Sequence, residues 1–257
     1  DLLGTAGITT ALIPNGDATK ANLLATIGPA DVGGVMLSGH TDVVPIDGQA
    51  WTRPPFALTQ ADGKYYGRGT TDMKGFVACA ITAAIKASRR ELKSPLHLAF
   101  SYDEEIGCQG VGSLIDLLRE GTVRPAMCIV GEPTSLAVAT GHKGKVAMRA
   151  RCIGREGHSA LAPLALNALH LGTDLIGILR DIQARLQASG HRDADYDVPY
   201  TTVLAARISG GVALNIVPNL CEVDFEIRNV AQDDVAALLA EIRTRADLLV
   251  TEARKQA

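Results

Sequence analysis

The chain has 257 residues, 47% of them hydrophobic, a formal net charge of -3 and a pI near 6.1. That length builds one large domain or two smaller ones, each with its own core. The mild acidity offers no basic surface for nucleic acid, no apolar run approaches the roughly 20 residues of a membrane helix, and no signal peptide is visible. Five cysteines, Cys79, Cys108, Cys128, Cys152 and Cys221, stand without C-x-x-C spacing. Most fall in apolar stretches, which predicts buried free thiols and a reducing, cytoplasmic location. The chain opens at Asp1 without an initiator methionine, so it reads as a piece of a longer protein.

In chain order, Ala21 to Ile27 and Gly34 to Gly39 read as strands joined by a Gly/Pro/Asp turn. Met73, Phe76, Val77, Ala80, Ile81, Ala84 and Ile85 recur at i, i+3, i+4 and i+7, which predicts an amphipathic helix after Asp72. Leu96 to Phe100 is a buried-type strand, Gln109 to Glu120 a helix, and Ala126 to Val130 a strand. Alternating strands and helices predict an α/β domain with a mostly parallel sheet. The pattern changes near Gly141-His142, placing a boundary between residues 1–141 and 142–257. Lys145 to Ile153, Thr201 to Ile208 and Cys221 to Ile227 alternate apolar and polar residues, as half-exposed strands do. With helices over Ala165–Leu186 and Asp233 to about Val250, this β-α-β-β-α order predicts a ferredoxin-like α+β module.

Polar groups cluster where the first strands end: His40 and Asp42 after one, Asp103-Glu104-Glu105 after another, Glu132 after a third. Asp72 closes a glycine-rich loop between the first two. Ligands of open α/β sheets bind beyond the carboxyl ends of the strands. Imidazole with carboxylates and no thiolate suits a hydrolytic Zn²⁺ or Co²⁺. Each residue also has a plainer reading. A lone strand-end histidine is more often hydrogen-bonded structure, Asp72 is a good helix cap, and Glu132 is an ordinary loop acid. The adjacent Glu104 and Glu105 are more telling. They repel each other at the end of an apolar strand, and a cation would relieve that repulsion. Their side chains diverge, so one can bind metal while the other acts as a base.

The segments SGHTDVVP, Arg53-Pro54-Pro55-Phe56, YGRGTTDMKG, SYDEEIGCQG and VGEPT together resemble the co-catalytic zinc metallopeptidases. That family includes deacetylases of N-acyl amino acids, desuccinylases, aminoacylases and glutamate carboxypeptidases. Ile46-Asp47-Gly48-Gln49-Ala50-Trp51 and Thr140-Gly141-His142-Lys143-Gly144 look most like its acetylornithine deacetylase branch. The resemblance implies a zinc-peptidase-like catalytic domain and a lid domain that forms a homodimer. It implies that two zinc ions, or cobalt, are held by His40 and Glu132 on one side and Glu105 on the other, with Asp72 shared. Glu104 would be the general base, and Asp42 would orient His40. The Asp72-Met73 peptide bond would be cis.

The resemblance further implies that His158 stabilises the oxyanion and that Asn215 and Arg228 clamp the substrate carboxylate. A solvated loop histidine and a surface arginine are the plainer alternatives. Asn229-Val230 departs from the proline expected after Arg228. The remaining histidines, His97, His142, His170 and His191, read as structural or solvated. The implied reaction is hydrolysis of N-acetyl-L-ornithine, with another small-molecule N-acyl amino acid, such as N-succinyl-diaminopimelate, as the alternative. The family takes a further histidine ligand from a late segment, and no histidine follows His191. A second, different reading is therefore a non-catalytic fragment able only to fold in part and to associate through the lid.

Overall fold

Residues 1–29, 33–121 and 123–256 are described in the computed structural model of the protein. They fall into two compact units, Asp1–Val138 and Ala139–Ala257.

The first unit runs α1 (Leu2–Thr5), β1 (Thr10–Pro14), β2 (Ala21–Ile27), β3 (Val35–His40), β4 (Thr59–Ala61), β5 (Lys64–Tyr66), α2 (Gly75–Ala87), β6 (Leu96–Ser101), α3 (Gly112–Glu120) and β7 (Met127–Val130). Its main sheet has the order β1-β2-β6-β3-β7, while β4 and β5 form a separate hairpin. Strand β3 is parallel to both β6 and β7, but β2 is antiparallel to β6 and to β1. The sheet is therefore mixed, which corrects the expected mostly parallel one. Connection length explains the antiparallel β1–β2 pair. Strands β1 and β2 are joined by a turn in which the Asn15 N–H donates to the Lys20 carbonyl, and so short a link permits only antiparallel pairing. The parallel strands are linked through α2 and α3. The expected turn between β2 and β3 includes residues 30–32, which lie outside the described residues. The two strands are not neighbours, because β6 lies between them.

Alternation along β6 builds a core on each face. Leu98 and Phe100 pack with Ala25, Ile27 and the α2 residues Ala80 and Ala84, whereas Ala99 packs with Leu24, Met36 and Leu114 of α3. Burying a side chain such as Leu98 contributes about 1.5–3 kcal/mol. Strand β7, at the sheet edge, is exposed along its whole length.

The second unit runs β8 (Gly144–Ile153), β9 (Gly157–His158), α4 (Ala168–Ser189), β10 (Thr202–Gly210), β11 (Ile216–Val217), β12 (Leu220–Asn229) and α5 (Val235–Gln256). An antiparallel sheet of order β10-β12-β8 carries both helices on one face. Cys221, Val223, Phe225 and Ile227 of β12 alternate inward against Leu175, Leu179 and Ile182 of α4 and Leu238 and Ile242 of α5. Helix α4 starts at Ala168, later than expected, where the Asn167 side chain accepts the Leu169 N–H at 2.9 Å. The preceding Ser159–Leu164 forms a kinked 3-10 turn containing Pro163.

All five cysteines are free, but only Cys221 is buried. Cys79, Cys108 and Cys128 are exposed, against the expected burial, because each sits on the outer side of its helix, loop or edge strand. No described helix is long and apolar enough to cross a membrane.

Candidate metal centre

Three parallel strands bring their carboxyl ends to one edge of the first sheet. The registers place Gly39 opposite Phe100 and His40 opposite Ser101, while Ser38 faces Val130. The segments that follow therefore start side by side: Asp42 after β3, Asp103-Glu104-Glu105 after β6, and Glu132 after β7. The Thr41 N–H donates to the Ser101 carbonyl at 2.9 Å and the Gly131 N–H to the Ser38 carbonyl at 3.1 Å, which carries the alignment one step past the strands. At Gly131 a Cβ would lie 2.0 Å from the Phe76 ring, so Glu132 reaches the site only because the preceding residue has no side chain.

Asp72 arrives from the other direction. The loop before α2 makes a kinked turn over Thr70–Lys74, with Asp72 itself non-helical at φ -118°, ψ 96° and a cis Asp72-Met73 peptide bond. Asp72 does not cap α2, so the helix-cap alternative fails. Met73 is fully buried, and its sulfur accepts the His40 N–H at 3.3 Å.

His40 is at the centre, with a side chain 1% exposed. Its Nδ1 lies 3.0 Å from the Asp42 carbonyl oxygen, a contact that needs a proton on Nδ1. Its Nε2 faces Asp72 Oδ1 at 3.0 Å, Glu104 Oε2 at 3.8 Å and Glu132 Oε1 at 4.0 Å. One ligand atom each from His40, Asp72 and Glu105 lies within 4.8 Å of the others.

The electrostatics are those of crowded carboxylates. Burial, then repulsion from Asp72, raises the pKa of both Glu105 and Glu132. Burial works against a charged His40, but the carboxylates of Asp72, Asp42 and Glu132 outweigh it and raise the pKa of the ring. Asp42 goes the other way. Burial opposes its ionisation, yet the backbone N–H groups of Glu105 and Glu104 hold its pKa low. With Nδ1 protonated toward a carbonyl, the Nε2 lone pair is aimed into a nest of anions. A second proton or a cation must occupy that space, and a nitrogen with three carboxylates is a donor set that zinc accepts.

Asp42 does more than the sequence reading expected. Its main-chain oxygen holds the His40 ring, with Oδ1 only 3.4 Å from Nδ1, while its two carboxylate oxygens accept the N–H groups of Glu104 at 3.1 Å and Glu105 at 3.0 Å. Lys20 was not singled out by the sequence. Its ammonium reaches both carboxylate oxygens of Asp103 at 2.7 Å. Neither contact has a sequence signal, since both depend on which strands become neighbours.

The other sequence-derived residues belong to the second unit. His158 ends β9, is exposed, and accepts the Ala160 N–H on Nδ1 at 3.1 Å, leaving Nε2 to carry the proton. Ile216 is its neighbour across the β9–β11 pair, and Asn215, one residue before, accepts the Ser159 N–H on its carbonyl at 3.0 Å. Arg228, on β12, pairs with Glu226 at 3.0 Å. Of the histidines read as structural, His97 is buried and contacts Thr26 Oγ1 at 2.9 Å.

The profile of Peptidase family M20/M25/M40 matches residues 36–251. The chain is 40% identical over 227 residues to an acetylornithine deacetylase of Pasteurella multocida (strain Pm70), and 39% identical over 213 residues to one of Shigella sonnei (strain Ss046). These alignments cover 88% and 83% of this chain but 58% and 54% of the relatives, so the chain spans little more than half their length. Among solved structures, human carnosine dipeptidase 1 and the M20 family metallo-carboxypeptidase Sso-CP2 from Sulfolobus solfataricus each superpose with a TM-score of 0.71. Their identities are 19% and 17%, and the matches cover 99% and 98% of this chain and 68% of each of theirs. By the profile and by these relatives, the chain belongs to Peptidase family M20/M25/M40.

Proposed function

We propose that the protein containing this chain is a metal-dependent amidohydrolase that cleaves N-acetyl-L-ornithine to L-ornithine and acetate. The observation that carries the reading is the convergence of His40, Asp72 and Glu105 within 4.8 Å, with Glu104 and Glu132 on the same imidazole nitrogen. Similarity to the acetylornithine deacetylases supports the substrate.

His40 and Glu132 would hold one zinc ion and Glu105 a second, with Asp72 shared between them; cobalt is the alternative metal. The bound metal would lower the pKa of the attacking water and polarise the acyl carbonyl. Glu104 takes the proton as the water oxygen adds to the carbonyl carbon. The C–N bond then breaks, and Glu104 returns that proton to the departing amine. Asp42 keeps the His40 ring and the Glu104 main chain in register.

In this reading residues 1–141 form the catalytic domain and residues 142–257 the lid and homodimer-forming domain. His158, with its proton on Nε2, is the donor to the oxyanion. Asn215 and Arg228 take the substrate carboxylate, for which a guanidinium is well shaped. Five free thiols support a cytoplasmic location.

The test is kcat/KM over a panel of N-acyl amino acids with the zinc-loaded protein. N-Acetyl-L-ornithine is expected to lead. A higher value for N-succinyl-diaminopimelate moves the assignment to that substrate, and no turnover of any member overturns the amidohydrolase reading.

A further inference from the structure

We infer that Lys20 is a positioning residue for the Glu104–Glu105 loop, an inference that rests on the role proposed above for those two glutamates. The antiparallel pairing of β2 with β6 creates the relationship. Leu23 sits opposite Phe100, so the chain just before β2 runs alongside the residues just after β6. Continuing that register by three residues places Lys20 opposite Asp103.

Two residues on one side of β2 then hold both ends of the loop. Lys20 contacts both carboxylate oxygens of Asp103 at 2.7 Å, at the loop's entry. Asn22, two residues on and so on the same face, donates from Nδ2 to the Gly110 carbonyl at 2.8 Å and to Ser113 Oγ at 3.0 Å, at its exit. The neck between is tight, because a Cβ on Gly110 would lie 2.0 Å from the Tyr102 carbonyl oxygen. Asp103 itself adopts a left-handed conformation, φ 55°, turning the chain so that Glu104 and Glu105 face His40. Asn22 is fully buried, and its Oδ1 has no hydrogen-bond partner among the described residues. An unpaired buried acceptor is costly, so a residue serving only to fill space would be better apolar.

The plainer account is an ordinary surface ion pair. Lys20 is 48% exposed, and pairs of that kind contribute little to global stability. The two accounts differ in what Lys20→Met does. As a positioning residue, its loss leaves the thermal midpoint unchanged and loosens one loop. In the metal-free chain, backbone amide exchange at Glu104 and Glu105 is expected to quicken by about tenfold while amides of α4 stay unchanged. In the zinc-loaded intact enzyme, kcat is expected to fall about 10- to 100-fold with KM unchanged, as for small misplacements of a reacting group. Lys20→Arg should restore both measurements, and Lys20→Met combined with Asp103→Asn should be no worse than either change alone. Unchanged exchange overturns the inference whatever the activity. Faster exchange with full kcat also overturns it, since the loop would then be held for another purpose. A wild-type enzyme that turns over no N-acyl substrate defeats the proposed function instead, and exchange still decides whether Lys20 holds the loop.

Discussion

Asp42 grips the main chain of Glu105: its Oδ2 accepts the Glu105 N–H at 3.0 Å, while Oδ1 accepts that of Glu104 at 3.1 Å. One carboxylate thus ties the end of β3 to the loop after β6, and the same residue's carbonyl oxygen holds His40. Asp42 thus holds the imidazole through its main chain and the main chain of the base through its side chain.

Asp42→Ala removes both acceptors and leaves two part-buried N–H groups unpaired. A destabilisation of about 1–3 kcal/mol is expected, together with loss of turnover, since Glu104 and Glu105 are freed at once. Asp42→Asn should lie between, because one amide oxygen still accepts while the NH₂ opposes the second N–H. Urea midpoints of the three proteins check this. An Asp42→Ala protein as stable as wild type would mean that water takes over both bonds.

Much of this site was legible because each contributor stands at a local boundary. An apolar run gives way to His40 and Asp42, another to Glu104 and Glu105, a third to Glu132, and parallel strands bring such boundaries to one edge. The sheet order was not legible. That β6 inserts between β2 and β3 is a long-range choice that local periodicity does not encode, and the contacts from Lys20 and Asn22 follow from it. Asp72 was found by resemblance, since its local pattern reads equally as a helix cap and only the kinked backbone before α2 separates the two. The exposed cysteines misled for a related reason: apolar neighbours in sequence do not say which side of a helix or edge strand a residue occupies.

Zinc should bind at the His40 cluster and stabilise the fold. The carboxylates around Nε2 repel one another without a cation, and an ion bound only by the folded state adds stability. At about 100 times its Kd that amounts to about 2.7 kcal/mol. His40→Ala should abolish most of the shift in thermal midpoint, and Glu132→Ala or Glu105→Ala should weaken it. An equal shift in wild type and His40→Ala would place the ion elsewhere.

Glu104→Gln should keep metal and lose turnover. Its Oε2 lies 3.8 Å from His40 Nε2, near the cluster without belonging to its tight trio. The amide preserves shape but accepts no proton, so kcat should fall by about 10²–10⁴-fold. Metal content by elemental analysis separates the two roles. Full kcat shows that another group is the base, and lost metal makes Glu104 a ligand.

The second unit offers a test of acid stability independent of the metal. On the solvent face of its sheet, Asp224 stands between Arg149 of β8, at 2.7 Å, and Arg207 of β10, at 2.8 Å. Irregular pairing between Ala205 and Arg207 brings Arg207 opposite Asp224 and onto the same face, where an unbroken ladder would have put Ala206. The hydrogen bond from Arg149, reinforced by Arg207, lowers the Asp224 pKa from 3.8 to about 2. A carboxylate whose pKa falls on folding stabilises the native state fully above its unfolded pKa, and that contribution drains away as pH drops through the folded value. For Asp224 the window runs from about pH 4 down to about pH 2. Asp224→Asn carries no such charge, so it should be less stable than wild type at pH 6, and the gap should narrow as pH falls through that window. Other carboxylates titrate in both proteins and cancel. Because the pairs are solvent-exposed, about 1 M salt should also shrink the gap. Thermal midpoints from about pH 6 down to about pH 2, at low and high salt, measure both effects. A gap indifferent to pH and to salt would mean that Asp224 acts through the shape of its hydrogen bonds and not through its charge.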